Sequence, residues 1–178
     1  MESHRRPRRE SVWENLADIE SSMEAEARLE ERGEVHDLRQ AEEQEITLVS
    51  RLQACMGAAV QLRLVASPEY VEMVVTDVAA TWVVGRSVRG VTLIPLDRVE
   101  VVRGLTTRAE SRHRAISSSL SFRSRLRELA RDRPITIEAD VSSYRGRVYS
   151  VGSDWVDIKC NGERLTVALG HIRRVDAA

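Results

Sequence analysis

Up to about residue 56 the apolar positions of this chain recur every third or fourth residue, and from Gly57 they recur every second. The change of period predicts helices first and strands afterwards. Ser11, followed three residues on by Glu14, fits a capping box. Trp13, Leu16, Ile19 and Met23 then form one apolar stripe on a Glu-rich helix that Gly33 interrupts. Val35, Leu38, Ala41, Leu48, Leu52 and Cys55 continue at helical spacing. Two antiparallel helices and one long kinked helix both satisfy that pattern. Val60, Leu62 and Leu64 alternate with Gln61 and Arg63, which predicts a strand. Ser67-Pro68-Glu69 makes a turn, and strands are expected over 70–75, 78–84, 91–96 and 98–102. A second helix over 120–130 carries Leu120, Leu126 and Leu129 on one side and Arg123, Arg127 and Arg131 largely on another, and Pro134 stops it. Ile135 and Ile137 open a second strand set, with further strands over 144–151, 155–158, 165–169 and 171–175. Asn161-Gly162 is a strong hairpin signal between two of them.

The two strand sets are copies. At an offset of 73 residues and without a gap, Val75 matches Val148, Val78 matches Val151 and Trp82 matches Trp155. Ile94 matches Val167, Leu96 matches Leu169, Val99 matches Ile172 and Val102 matches Val175. The likeness reaches back into the helices, where Ser50-Arg51-Leu52 stands before the first set as Ser124-Arg125-Leu126 stands before the second. Such self-similarity sets the fold before any single residue does. The unit is a helix plus five short strands, used twice. Five short strands with two open edges gain by closing, so the expected fold is α+β and mostly β: two tandem five-stranded small barrels, each preceded by a helix, behind an acidic N-terminal helical segment. The boundaries that follow are a basic arm over 1–10, the acidic helical segment over 11–46, a first unit over 47–103, a linker over 104–119 and a second unit over 120–178.

Charge changes the picture more than composition does. Net charge is −1 over 178 residues, yet residues 10–45 hold thirteen acids against three arginines, and residues 103–133 hold nine arginines against three acids. An acidic head and a basic middle are therefore concealed in a neutral total. Lys159 is the only lysine, and arginine suits planar, bidentate contacts to phosphate. GC-rich coding accounts for an arginine excess equally well. The two cysteines, Cys55 and Cys160, lack ligand spacing, so no zinc site or disulfide framework is expected. No apolar run is long enough for a membrane helix, and the basic N-terminus lacks the apolar stretch of a signal peptide, so a cytoplasmic protein is expected.

Within the second unit, Gly146-Arg147-Val148 and Val151-Gly152-Ser153-Asp154-Trp155 resemble the first motif of the Sm-like family of small RNA-binding barrels. Val167-Ala168-Leu169-Gly170-His171-Ile172 resembles its short second motif. The likeness covers roughly residues 48–102 and 120–175, and the arginine-rich chain with an acidic helical head looks like proteins of actinobacteria. The resemblance implies Sm-like barrels that bind RNA, with Asp154 as an acid one residue out of register with the family's first motif and His171 as the histidine of the second, where Gly170 replaces the family's lysine. The first copy has Ala79-Ala80-Thr81 and Asp97-Arg98 at the corresponding places, so the second copy is the better candidate.

Catalysis has little support. His4, His36 and His113 lie in the arm, near a helix break and in the linker, and only His171 falls on a strand. Gly85 to Gly90 lacks the Lys-Ser/Thr of a phosphate loop. No enzyme, cofactor, metal or small-molecule substrate is expected. Nucleic-acid binding is sharper: Arg112, Arg114, Arg123, Arg125, Arg127 and Arg131 could follow a phosphate backbone, joined by His171 and Asp154. RNA or another single-stranded nucleic acid is the expected partner, with a regulatory role. The basic helix docking on the acidic one stands as an equal alternative. A protein-interaction or self-assembling scaffold, homo-oligomeric through helices or barrel edges, is the other reading of function. Trp82 and Trp155 read as core residues ahead of base-stacking platforms.

Overall fold

A computed structural model of the chain describes residues 46–106 and 120–178. The expected basic arm, the acidic helices before Ile46 and most of the linker lie outside the described residues. Residues 47–178 form one compact unit. Its elements are α1 (Leu48–Ala54), β1 (Ala59–Leu64), β2 (Tyr70–Val78), β3 (Trp82–Ser87), β4 (Gly90–Pro95) and β5 (Val99–Arg103), then α2 (Phe122–Leu129), β6 (Ile135–Ala139), β7 (Ser143–Val151), β8 (Trp155–Cys160), β9 (Glu163–Ala168) and β10 (Ile172–Ala177). Each helix is short and starts on a hydroxyl cap: Thr47 accepts from the Ser50 amide and Ser121 from the Ser124 amide.

The duplication holds down to register. In β2–β3, Val74 faces Arg86 and a bulge falls between Val75 and Asp77; in β7–β8, Arg147 faces Lys159 and the bulge falls between Val148 and Ser150. Trp82 faces Pro95 as Trp155 faces Ala168. A further irregularity recurs where β5 leaves β1 and where β10 leaves β6.

The expectation of two separate barrels is overturned. The ten strands form one antiparallel sheet in the order β5-β1-β2-β3-β4-β10-β6-β7-β8-β9. Its centre is the joint between halves, where β4 pairs with β10 through Val91–Ala177, Thr92–Asp176 and Leu93–Val175. The class remains α+β and mostly β, but the halves are continuous. Closing each half on itself would satisfy β4 within its own copy. Pairing β4 with β10 satisfies the same backbone groups and carries Trp82, Val84 and Leu93 into the second core. The joint is fastened by the Thr92 hydroxyl, which donates to the buried Asp176 carboxylate at 2.7 Å. Burial raises the Asp176 pKa, and the Thr92 hydrogen bond and the nearby Arg174 charge only partly offset it.

Two apolar cores result. One belongs to the first half, with Leu52 of α1 against Val60, Leu62, Met73, Val75 and Ile94. The other holds Leu126 of α2 with Ile135, Ile137, Ile158 and Ile172, and it also takes in Trp82, Val84 and Leu93 from the first half. Trp82 is wholly buried there, while its counterpart Trp155 is only half-buried. The matched tryptophans therefore do not have matched environments: the β4–β10 joint carries Trp82 into the second core, and Trp155 is not part of that core.

Candidate nucleic-acid interface

The arginines expected to bind nucleic acid do not form one surface. Arg112 and Arg114 lie outside the described residues. Arg125 is engaged within the fold: it pairs with Glu128 at 2.6 Å, and its guanidinium lies 5.6 Å from the Trp82 ring centre. Arg127 donates to the Val151 carbonyl, which fixes it across the end of β7. Arg123 is half-buried and Arg131 exposed. His171 is exposed and meets Asp140 at 2.6 Å, rather than Asp154. That hydrogen bond lowers the Asp140 pKa, and Arg98 adds to the effect. Asp154 is exposed and accepts from the neighbouring Ser153 hydroxyl. Asp154 and His171 thus have separate local partners.

A different cationic surface is built by the strands of the second half. Along β7, exposure alternates, and Arg145, Arg147 and Tyr149 are all exposed. Arg147 faces Lys159 of β8, and Lys159 faces Arg164 of β9, so three cations stand directly opposite one another across three strands. Among the described residues Arg145, Arg147 and Lys159 have no ion-pair partner. Like charges directly opposite on a sheet destabilise it, so the row is costly to the fold and needs another reason to exist. The first copy has Val74, Arg86 and Val91 in register at the same places, with one cation in place of three.

The row has an aromatic neighbour and a fixed geometry. Tyr149 is the extra residue of the β7 bulge, which turns its ring outward, and it is 59% exposed. The Arg164 guanidinium lies 5.6 Å from that ring. Arg164 is held from below by Asp157, which accepts from its Nε at 2.9 Å. Asp157 is buried and also accepts from the Thr166 hydroxyl at 2.7 Å. These hydrogen bonds, Thr166 first and Arg164 next, hold the Asp157 pKa below the usual carboxylate value. One fixed carboxylate therefore orients Arg164 and leaves the rest of the row uncompensated. Beside Tyr149, Arg127 of α2 and Arg131 just after it line an open groove of about 470 Å³ with Val148 and Ser150. Two of the expected arginines consequently flank this surface.

Sequence reasoning missed this row because it weighed charge by local density along the chain, and Arg147, Lys159 and Arg164 are spread over three strands. The signal was available in the alternation Arg145, Arg147, Tyr149 and in the position of Lys159 within the repeat. No protein-family profile matches the chain, and no curated protein matches it significantly. Among the described residues no helix is long and apolar enough to cross a membrane.

Proposed function

We propose that this is a non-enzymatic, cytoplasmic protein that binds single-stranded nucleic acid, RNA foremost, on the outer face of β7, β8 and β9, in a regulatory role. The observation that carries the reading is the cross-strand row Arg147, Lys159 and Arg164 beside the exposed ring of Tyr149. Cations spaced along a strand-crossing line suit successive phosphates, and an exposed aromatic ring suits an unstacked base. Duplex has no splayed base to offer Tyr149, which favours single strands. The segment that resembles the Sm-like family, Gly146-Arg147-Val148, contributes Arg147 to the row, and this supports RNA.

The test is anisotropy with a labelled single-stranded RNA over a salt series. Replacing Arg147, Lys159 and Arg164 together by Ala should weaken binding at least tenfold and flatten the log–log salt slope by roughly 2, at about 0.7 for each phosphate that is no longer neutralised. Tyr149→Ala should weaken binding with the salt slope kept, since stacking releases no counterions. Unchanged affinity in the triple variant sinks the proposal, and so does equal binding of single-stranded and duplex RNA.

A further inference from the structure

A buried polar network crosses the joint between the halves. The Arg89 amide donates to the Ser87 hydroxyl at 3.0 Å, the Ser87 and Thr92 hydroxyls meet at 2.8 Å, and Thr92 donates to Asp176 at 2.7 Å. Thr92 gives its one proton to Asp176, so Ser87 is the donor between the two hydroxyls. A single line of hydrogen bonds thus runs from the β3–β4 turn to the Asp176 carboxylate. Behind Asp176, Arg174 pairs with Glu138 of β6, and Arg89 lies 3.5 Å from the same Glu138. Arg174 Nε is 3.1 Å from Asp176 Oδ2, at an angle too poor for a hydrogen bond, and neither of these buried atoms has another. One buried arginine therefore serves two carboxylates, and that of Asp176 is left half satisfied.

The repeat shows that this network belongs to the joint and not to the repeated unit. At the 73-residue offset, Ser87, Arg89 and Thr92 correspond to Cys160, Gly162 and Leu165. Glu138, Arg174 and Asp176 correspond to Val65, Val101 and Arg103. Neither acid is repeated, so the unit makes its strands without the set. A buried ion pair adds little net stability over apolar packing of the same volume. Its presence at the joint alone calls for a role other than strength.

We propose that the network is a proton-operated latch: a proton on Asp176 tightens the β4–β10 joint, and its loss loosens the joint. Oδ2 takes the proton, which removes the buried charge while Oδ1 still accepts from Thr92. The charged groups around Asp176 are Arg174 on its own strand, Glu138 on β6, Arg89 in the β3–β4 turn and Arg145 on β7. Burial raises the Asp176 pKa, against the Thr92 hydrogen bond and the Arg174 and Arg89 charges, and Glu138 adds to the rise. A cleft of about 230 Å³, lined by Arg89, Thr136, Arg145 and Asp176, gives protons a route to the carboxyl. A carboxyl raised by folding contributes stability that is full below its ordinary value and is lost as pH rises through the folded one. The joint therefore holds best in mild acid. Asp140 and Asp157 act in the opposite sense, since their values are lowered.

Hydrogen exchange of the full chain, followed by NMR and corrected for intrinsic base catalysis, tests the latch. Between about pH 5 and pH 8, protection of the β4 and β10 amides should fall severalfold, with β1 and β2 changing less. Asp176→Asn fixes a neutral side chain whose oxygen still accepts from Thr92. It should keep the mild-acid protection at both pH values. His171→Ala should leave the wild-type dependence in place, because His171 meets Asp140 and not this network. Joint protection that ignores pH in the wild type overturns the latch. So does a dependence that persists in Asp176→Asn or disappears in His171→Ala. Should Asp176→Asn lose its fold, carbon NMR of the wild-type Asp176 carboxyl decides. A midpoint above the ordinary 3.8, raised further in Thr92→Val, is expected, and a midpoint at or below 3.8 refutes the latch.

Discussion

Trp82 and His171 show how far a residue's neighbours decide its weight. Trp82 fills the second core and satisfies its indole N–H at the Leu120 carbonyl. Trp82→Ala should cost about 3–5 kcal/mol in urea denaturation, since it opens a cavity and leaves that carbonyl without its donor. Trp155→Ala in a single chain should cost clearly less, as part of that ring already faces water. His171 acts through a surface hydrogen bond instead. It hydrogen-bonds to Asp140 and lowers that carboxyl's pKa. A carboxyl depressed by folding contributes stability above its ordinary titration range, and the contribution is lost as pH falls through the folded value. His171→Ala should therefore move the Asp140 carboxyl back toward its ordinary value in an NMR titration, and should make the loss of stability below about pH 4 less steep.

At the scale of elements, the bulged hairpins are the working parts. The bulge in β7 aims Tyr149 outward, and Gly146 just before it lets β8 come close. A methyl group at Gly146 would stand 1.9 Å from the Lys159 carbonyl oxygen, a backbone atom that cannot step aside without breaking the ladder. Gly146→Ala should destabilise the protein by about 1–3 kcal/mol, read as a lowered thermal midpoint, and should displace Lys159 from the cationic row. The strands themselves were legible as sequence. Val60, Leu62 and Leu64 sit on the buried side of β1 as their alternation requires, and Asn161-Gly162 makes the turn it signals. The cationic row was not legible as a group. Its members become neighbours only through the β7–β8–β9 register, and registers follow from bulges that alternation alone does not locate.

For the molecule as a whole, the duplication was written in the sequence, because matching Trp, Val and Leu positions at one offset need no coordinates to be seen. It fixed that two similar five-strand units exist, which faces of their strands are apolar, and that a helix precedes each. The tertiary structure decided how the units meet. An edge strand has unpaired amides and carbonyls that any partner strand of suitable register can satisfy, and local pattern does not distinguish a partner in the same unit from one in the next. Here β4 takes β10, the sheet runs continuously through both halves, and Trp82 enters the second core while Trp155 stays half-buried. Which charges form a surface was decided in the same way. Arginine density along the chain pointed to α2 and the linker, whereas cross-strand pairing gathered Arg147, Lys159 and Arg164, because a sheet brings together residues that are distant in sequence.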